Sequence, residues 1–246
     1  MIISIVIATY NAGETLARFL DSIIAQKSAD VEILIIDGGS KDNTLSIITD
    51  YANKIDFCLS EKDKGIYDAW NKALSHVNGD WIMFLGADDY LLPNALNYYI
   101  SFINDNDTKD VDIISGKCKY IDQSGKLLSI NGSAYNYSVF KRYMNISHGS
   151  TLHNTRLFDE LGTFNLKYRI CADYEFLMRK SLNSRFVDKP IICMQTGGMS
   201  FSLDALIETF QIRREKKVIS MFENLWLFIR GCLSLEKSKI KDFLMK

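Results

Sequence analysis

The chain has 246 residues, 47% hydrophobic and 24% charged, with a formal net charge of -1. That length and composition support one large α/β domain or two small ones with a real core, and the near-neutral balance argues against nucleic acid as the principal partner. The charge is uneven: residues 211–246 hold nine Lys and Arg against four Asp and Glu, so the acidic remainder suits a cation and the basic tail suits an anionic surface.

Cys58, Cys118, Cys171, Cys193 and Cys232 show no metal-ligand or disulfide spacing, which fits a reducing compartment. Met1 to Ala8 lacks a basic leader and is too short for a signal peptide, and no apolar run approaches the roughly 18 residues that span a bilayer. A cytoplasmic protein, soluble or peripheral, is expected.

Ile2 to Ala8 is a β-branched run typical of a strand buried on both faces, and it ends at Thr9-Tyr10-Asn11. Glu14 to Gln26 places Leu16, Phe19, Leu20, Ile23 and Ile24 on one helical face. Val31 to Ile36 repeats the buried-strand pattern and ends at Asp37-Gly38-Gly39-Ser40; a helix capped by Asp42 or Asn43 follows. Ile55 to Leu59 is a weaker strand leading to Asp63-Lys64-Gly65, and a helix runs from Ile66 to His76. Trp81 to Leu85 is an apolar strand stopping at Asp88 and Asp89. The alternation predicts mostly parallel strands joined by right-handed crossovers, which deliver Thr9 and Tyr10, Asp37, Asp63 and Lys64, and Asp88 and Asp89 to one edge.

Beyond a helix from Pro93 to Ile103 the pattern changes. Val111 to Ile121 and Lys126 to Ile130 flank Asp122-Gln123-Ser124-Gly125 as a hairpin. A short helix near Thr155 to Leu161, a helix from Ala172 to Leu182 and a strand over Phe186 to Met194 follow, with Gly197-Gly198 as a loop. No GxGxxG or P-loop is present, so a ligand must be held by carboxylates, a cation and polar loop groups. Adjacent Asp88 and Asp89 suit Mn²⁺ or Mg²⁺ shared with a diphosphate; the alternative is that one of them caps the following helix.

Four segments together resemble the family 2 glycosyltransferases of GT-A fold, of bacterial surface-polysaccharide type: Ser4 to Asn11, Glu32 to Thr44, Asp63 to Lys72, and Ala87-Asp88-Asp89. The resemblance covers residues 1 to about 200. It implies an α/β fold with a Rossmann-like, mostly parallel central sheet, an acceptor-binding half and a C-terminal helical tail. The corresponding divisions are 1–115 for the nucleotide-sugar half, 116–200 for the acceptor half and 201–246 for the tail. The implied reaction is inverting transfer of a sugar from a nucleotide diphosphate donor, UDP by family frequency, to a hydroxyl of a glycan or lipid-linked glycan.

The same resemblance assigns Thr9, Tyr10, Asn11 and Glu14 to the base and ribose, Asp37 to the base edge, and Lys64 to nucleotide or diphosphate. Asp88 would meet ribose or the metal's water shell and Asp89 would bind Mn²⁺ or Mg²⁺; Gly86 stands where the family often has a further Asp or Asn. Asp173, within Cys171 to Phe176, falls at the position of the base, where the helix dipole would keep it ionised; the alternative is a helix cap. His148 resembles a segment facing sugar or acceptor and is equally readable as structural, whereas His76, His153, Trp70 and Trp81 read as structural. Arg169 and Arg179 read as solvated helix-face charge, the alternative being pairs with diphosphate or with acidic neighbours.

In the tail, Val218, Met221, Phe222, Leu225, Trp226, Phe228, Ile229 and Cys232 form an apolar stripe beside basic residues. An interfacial helix on the inner face of a cytoplasmic membrane, packing on the catalytic domain, and a homodimer contact are all consistent with it. Two competing functions are a non-catalytic nucleotide-sugar-binding scaffold subunit and a sugar-nucleotide pyrophosphorylase. The second lacks its Gly-rich, Arg-containing loop.

Overall fold

Strand β1 (Ile3–Thr9) lies at the centre of four parallel strands, with β2 (Val31–Asp37) on one side and β4 (Trp81–Gly86) on the other; β3 (Phe57–Ser60) extends β2. The computed structural model describes residues 3–244, and side chains of residues 3–236; Met1, Ile2, Met245 and Lys246, which the expected first strand and tail include, lie outside them. Because side chains alternate across a strand, Ile5, Ile7, Ile33, Ile35 and Met83 enter one core with Leu16, Phe19 and Leu20 of helix α1 (Leu16–Ile24). Val6, Leu34, Ile36, Ile82 and Phe84 enter the other, with Tyr67 and Trp70 of helix α3 (Ile66–Ala73). A sheet covered on both faces explains why these strands read as unbroken apolar runs. Helices α2 (Thr44–Asp50) and α4 (Ala95–Asp105) complete the first half.

The sheet continues into the second half by antiparallel pairing. Its order is β3-β2-β1-β4-β8-β6-β9-β5, with β7 (Leu127–Asn131) off the path on β6 (Ile113–Ile121). Strand β8 (Thr151–Asn154) pairs antiparallel with both β4 and β6, while β9 (Ser184–Gln195) runs parallel to β6. Strand β5 (Tyr90–Leu91) leaves β4 immediately after Asp89 and pairs with β9. The expected β6–β7 hairpin forms: Asp122 accepts from the Ser124 and Lys126 amides, and Gly125 supplies φ 84° at the turn. Strands β5 and β8 are too short to have produced a periodic signal.

In the second half α6 (Arg156–Leu161) forms where a short helix was expected, the single turn α5 (Tyr137–Phe140) had no sequence pattern, and α7 (Ala172–Leu177) ends short of the Leu182 that was expected. The tail is two helices, α8 (Leu203–Lys216) and α9 (Met221–Leu244), broken at Lys217, whose φ of 51° is left-handed. All five cysteines are free, as their spacing indicated.

Phe84 of β4 meets the rings of Trp70, His148, His153, Phe158 and Phe164, joining the strand that carries the acidic pair to both halves. Truncation to Phe84→Ala should therefore destabilise the protein by about 3–5 kcal/mol. Urea denaturation followed by circular dichroism reads this, and a loss below about 1 kcal/mol would mean that the cluster is not a stabilising core.

Candidate functional site

In the parallel sheet Thr9 lies opposite Asp37, Asp37 opposite Ser60, and Ala8 opposite Gly86, so the strand ends are level. The loops that follow all leave from this edge, as the alternation predicted. Asp37 is fully buried and binds them together. Its two oxygens accept from Thr9 Oγ1 at 3.1 Å, Ser60 Oγ at 2.7 Å, the Gly39 and Ser40 amides at 3.0 Å each, and Ser40 Oγ. Burial pushes the carboxyl's pKa up, but the donors from Ser40, Ser60 and Thr9 outweigh it and hold Asp37 below its ordinary value.

This arrangement changes the roles that Thr9 and Asp37 can play. Thr9 Oγ1 is spent on Asp37, and Asp37 on Thr9, Ser60 and the loop after β2, which makes both builders of the sheet's edge. Asn11, with φ 46°, accepts from the Lys41 amide at 2.9 Å, and its own amide donates to Ser40 Oγ at 2.8 Å. Tyr10 and Glu14 stay exposed at the mouth. Lys64 is also exposed there, and Asp68 anchors its amide at 3.0 Å.

Asp88 and Asp89 occupy the turn between β4 and β5 and diverge sharply. Asp88 is exposed, and its Oδ1 folds back over Gly86, where an added Cβ would lie only 2.8 Å away. Glycine at that position makes room for the acid. Asp89 is 6% exposed, and no described residue donates a hydrogen bond to it. Burial, then the neighbouring Asp88 charge, pushes its pKa well above the ordinary value. A buried carboxylate with no donor is costly unless a cation meets it, so the residues fit a divalent ion. Among the described residues no group of three His, Cys, Asp or Glu could enclose a metal. An ion here would be held by Asp89 and Asp88, with diphosphate and water completing its shell.

Asp173 sits in the first turn of α7, half-buried. Its Oδ1 accepts from Tyr67 Oη at 2.9 Å and from the Tyr174 amide at 2.8 Å. The Tyr67 hydroxyl also lies 2.6 Å from the Ile170 carbonyl, so its single proton is shared between two acceptors. Burial raises the Asp173 pKa to about 6 against the lowering effect of these bonds. The helix dipole was expected to fix the charge; burial overrides it in this six-residue helix and makes Asp173 a stronger base, still ionised near neutrality. The Tyr174 amide belongs to the first turn of α7, so Asp173 also serves that turn, while the Glu208 carboxylate of α8 accepts from the Arg169, Ile170 and Cys171 amides of the preceding segment at 2.8, 2.9 and 2.8 Å.

Tyr67 and Glu208 escaped the sequence reading. Both were hidden in helical periodicity, and only their contacts across more than 30 residues reveal what they do. His148 has two readings in the sequence, a sugar contact and a structural residue. Its ring packs on Trp70 at 5.2 Å and His153 at 4.8 Å, its Nε2 is sealed without a partner, and burial lowers its pKa to about 3. His148 as a whole is half-buried, with its ring in an aromatic cluster. Arg179 is not solvated charge but pairs with an acidic neighbour, Glu175, at 2.6 Å.

Comparison with known proteins follows the same lines. Residues 4–187 match the model described as Glycosyl transferase family 2. A "PGL/p-HBAD biosynthesis glycosyltransferase" of Mycobacterium tuberculosis is 33% identical over 195 residues, covering 76% of this chain and 72% of the relative. An uncharacterized glycosyltransferase of Rickettsia typhi is 30% identical, covering 71% of this chain and 57% of its own length. Among solved structures, S. aureus TarS in complex with UDP-GlcNAc gives a TM-score of 0.71 at 19% identity, covering 94% of this chain and 72% of TarS. The mannosyltransferase PcManGT of Pyrobaculum calidifontis, in complex with GDP-Man and Mn²⁺, gives 0.67 at 15%, covering 97% of this chain and 75% of the other. At such identities the structural likeness speaks to fold alone, and the fold is the mixed α/β GT-A type.

The unpaired state of Asp89 has a measurable consequence. With its folded pKa raised, the native state binds a proton that the unfolded state releases, so metal-free stability falls as pH rises above about 4. Asp89→Asn should flatten that decline and should abolish stabilisation by added Mn²⁺, as read by thermal melts across pH with and without the ion. Equal Mn²⁺ stabilisation of both proteins would remove Asp89 as a ligand.

Proposed function

Because the chain belongs to glycosyl transferase family 2, we propose that it transfers a sugar, with inversion, from a nucleoside diphosphate sugar to a hydroxyl of a glycan or lipid-linked glycan acceptor. The observation that carries this reading is the state of Asp173: a half-buried carboxylate with a pKa of about 6, held from the donor half by Tyr67. A base tuned near the working pH is what one-step displacement by a hydroxyl needs. Uridine diphosphate as the carrier is supported by TarS, whose structure holds UDP-GlcNAc. A role in surface glycan assembly is supported by the mycobacterial relative, whose name places it in PGL/p-HBAD biosynthesis.

In this mechanism Tyr10, Asn11 and Glu14 receive the base and ribose on the floor built by Asp37 and Thr9, and Lys64 stands by the diphosphate. Asp88 meets the ribose or the ion's water. Bound at Asp89 and Asp88, Mn²⁺ or Mg²⁺ supplies neutralisation of the departing diphosphate's charge. Asp173 takes the proton of the acceptor hydroxyl while that oxygen attacks the anomeric carbon opposite the leaving group, which inverts the centre. Tyr67 and Glu208 hold Asp173 and its helix in place.

Asp173→Asn should leave nucleotide binding intact while turnover falls by about a hundred- to ten-thousand-fold. In the parent protein kcat/KM should be lost as pH falls through about 6, because the protonated acid cannot accept a proton. Tyr67→Phe removes a bond that lowers the Asp173 pKa, so the limb should move to higher pH. Turnover near the parent value in Asp173→Asn would favour the scaffold reading instead.

We also assign the protein to the inner face of a cytoplasmic membrane. On α9, Phe222, Leu225, Trp226, Ile229 and Leu233 are all exposed, Phe222 by 83%, and their spacing puts them on one face beside Arg230. Among the described residues no helix is long and apolar enough to cross a membrane. Phe222→Asp should weaken cosedimentation with phosphatidylglycerol vesicles by about tenfold. A shift from dimer to monomer with vesicle binding unchanged would make the stripe a protein contact.

A further inference from the structure

Strands β6 and β7 and the chain from Gly132 to Ser147 enclose a groove of 600 Å³, within the size range of ligand sites. It is separate from the cleft onto which Asp173 opens: Tyr143 and Met144 line both and form the partition between them. Neither Asp88, Asp89 nor Asp173 lies in its lining. The groove is built into the fold. Gly132, at φ 133°, brings the end of β7 so close to β6 that an added Cβ would fall 2.8 Å from the Gly116 carbonyl oxygen. The chain beyond is pinned as well. Asn145 Nδ2 donates to Ser133 Oγ at 3.1 Å and to the Ala134 carbonyl at 2.8 Å, and Asn136 caps α5 by accepting from the Val139 amide at 3.2 Å.

The lining carries no charge. In a chain that is 24% charged, every charged side chain among the described residues lies outside this groove. A phosphate, a carboxylate or a metal ion would lose hydration there and find no counter-charge. A lipid chain would strand the carboxamides and hydroxyls instead. The Asn131 side chain and Asn136 Nδ2 are exposed and have no hydrogen-bond partner among the described residues. A carboxamide both donates and accepts, as a sugar hydroxyl does, so the two can pair in either direction. Beside them stand the rings of Tyr120 and Tyr143, the latter 52% exposed, whose apolar faces suit the C–H face of a sugar ring.

We propose that this groove is a binding site for a neutral oligosaccharide, holding sugar units that take no part in the reaction. The ligand class rests on the groove alone. Only the further statement, that these units belong to the glycan whose end reaches Asp173 past Tyr143, rests on the transferase reading. A site of this kind holds a glycan by its inner units and passes over a free monosaccharide, which meets only part of the lining.

The test is isothermal calorimetry on the full chain, without nucleotide or metal, titrated with maltotetraose, cellotetraose, N-acetylchitotetraose and, as an anionic counterpart, tetragalacturonate. At least one of the neutral compounds should bind with a Kd of about 1 mM or below, and tetragalacturonate about tenfold more weakly. Asn131→Ala, which removes one exposed carboxamide, should weaken the bound neutral compound about threefold to tenfold. Asn131→Trp, which fills the groove from β7 with a residue that strands accept, should remove its binding. Asp173→Asn should bind it as the parent does. No binding of any neutral compound overturns the proposal, and tetragalacturonate binding as tightly overturns its neutral class. Undiminished binding in both Asn131 variants, or loss of binding in Asp173→Asn, overturns the location. Binding of UDP with Mn²⁺, measured on the same samples by thermal shift, is independent of all these outcomes and reports on the transferase reading separately.

Discussion

The register that puts Thr9 opposite Asp37 and Asp37 opposite Ser60 is the constraint on which the site depends. Parallel strands that end level with one another leave their last polar groups in a single row, and the loops leaving that row must satisfy one another. Asp37 performs this by collecting five donors, from the last residues of β1 and β3 and from the loop after β2, at no exposure to solvent. The loop after β1 is further tied to the loop after β2 through Asn11, Ala12 and Gly13, whose groups bond Lys41, Thr44 and Asp42. A preformed floor lowers the ordering cost of receiving a ligand at this edge.

Three carboxylates then divide the chemistry by environment. Asp37 has burial and abundant donors, and its pKa falls. Asp89 has burial and no donors, and its pKa rises well above the usual range. Asp173 lies between, with two donors that do not fully offset burial, at about 6. The first is structural, the second has no donor to offset its burial, and the third can accept a proton near neutrality. One side-chain type thus serves three purposes, and the number of hydrogen bonds each receives decides which.

Sequence patterning revealed the parts of this that depend on local periodicity. β-branched runs gave the parallel strands, and the polar residue after each run gave the edge at which Asp37, Lys64 and Asp88 gather. The acidic pair and the short motif around Asp173 were legible because their order along the chain resembles a family. Contacts made by distant residues were not. Glu208 reads as one more polar position on a helix, yet it caps the segment leading to Asp173. Tyr67 carried no reading of its own in the sequence, and only its hydroxyl, placed between Ile170 and Asp173, shows its role. His148 carries a motif-like neighbourhood, but the aromatic rings that bury it come from α3, β4 and the segment before α7. The tail's apolar stripe was visible in sequence, whereas the break at Lys217 that folds α8 back to meet α9 has no Gly or Pro to mark it.

The claim at the centre of this account is that burial and donor count set these three carboxylates apart, and a carboxyl-detected NMR pH titration measures it directly. The account predicts Asp37 titrating below the ordinary carboxylate range, Asp173 near 6, and Asp89 well above the range, falling when Mg²⁺ and UDP are added. Three midpoints clustered at the ordinary value, with Asp89 unmoved by the ion, would contradict it.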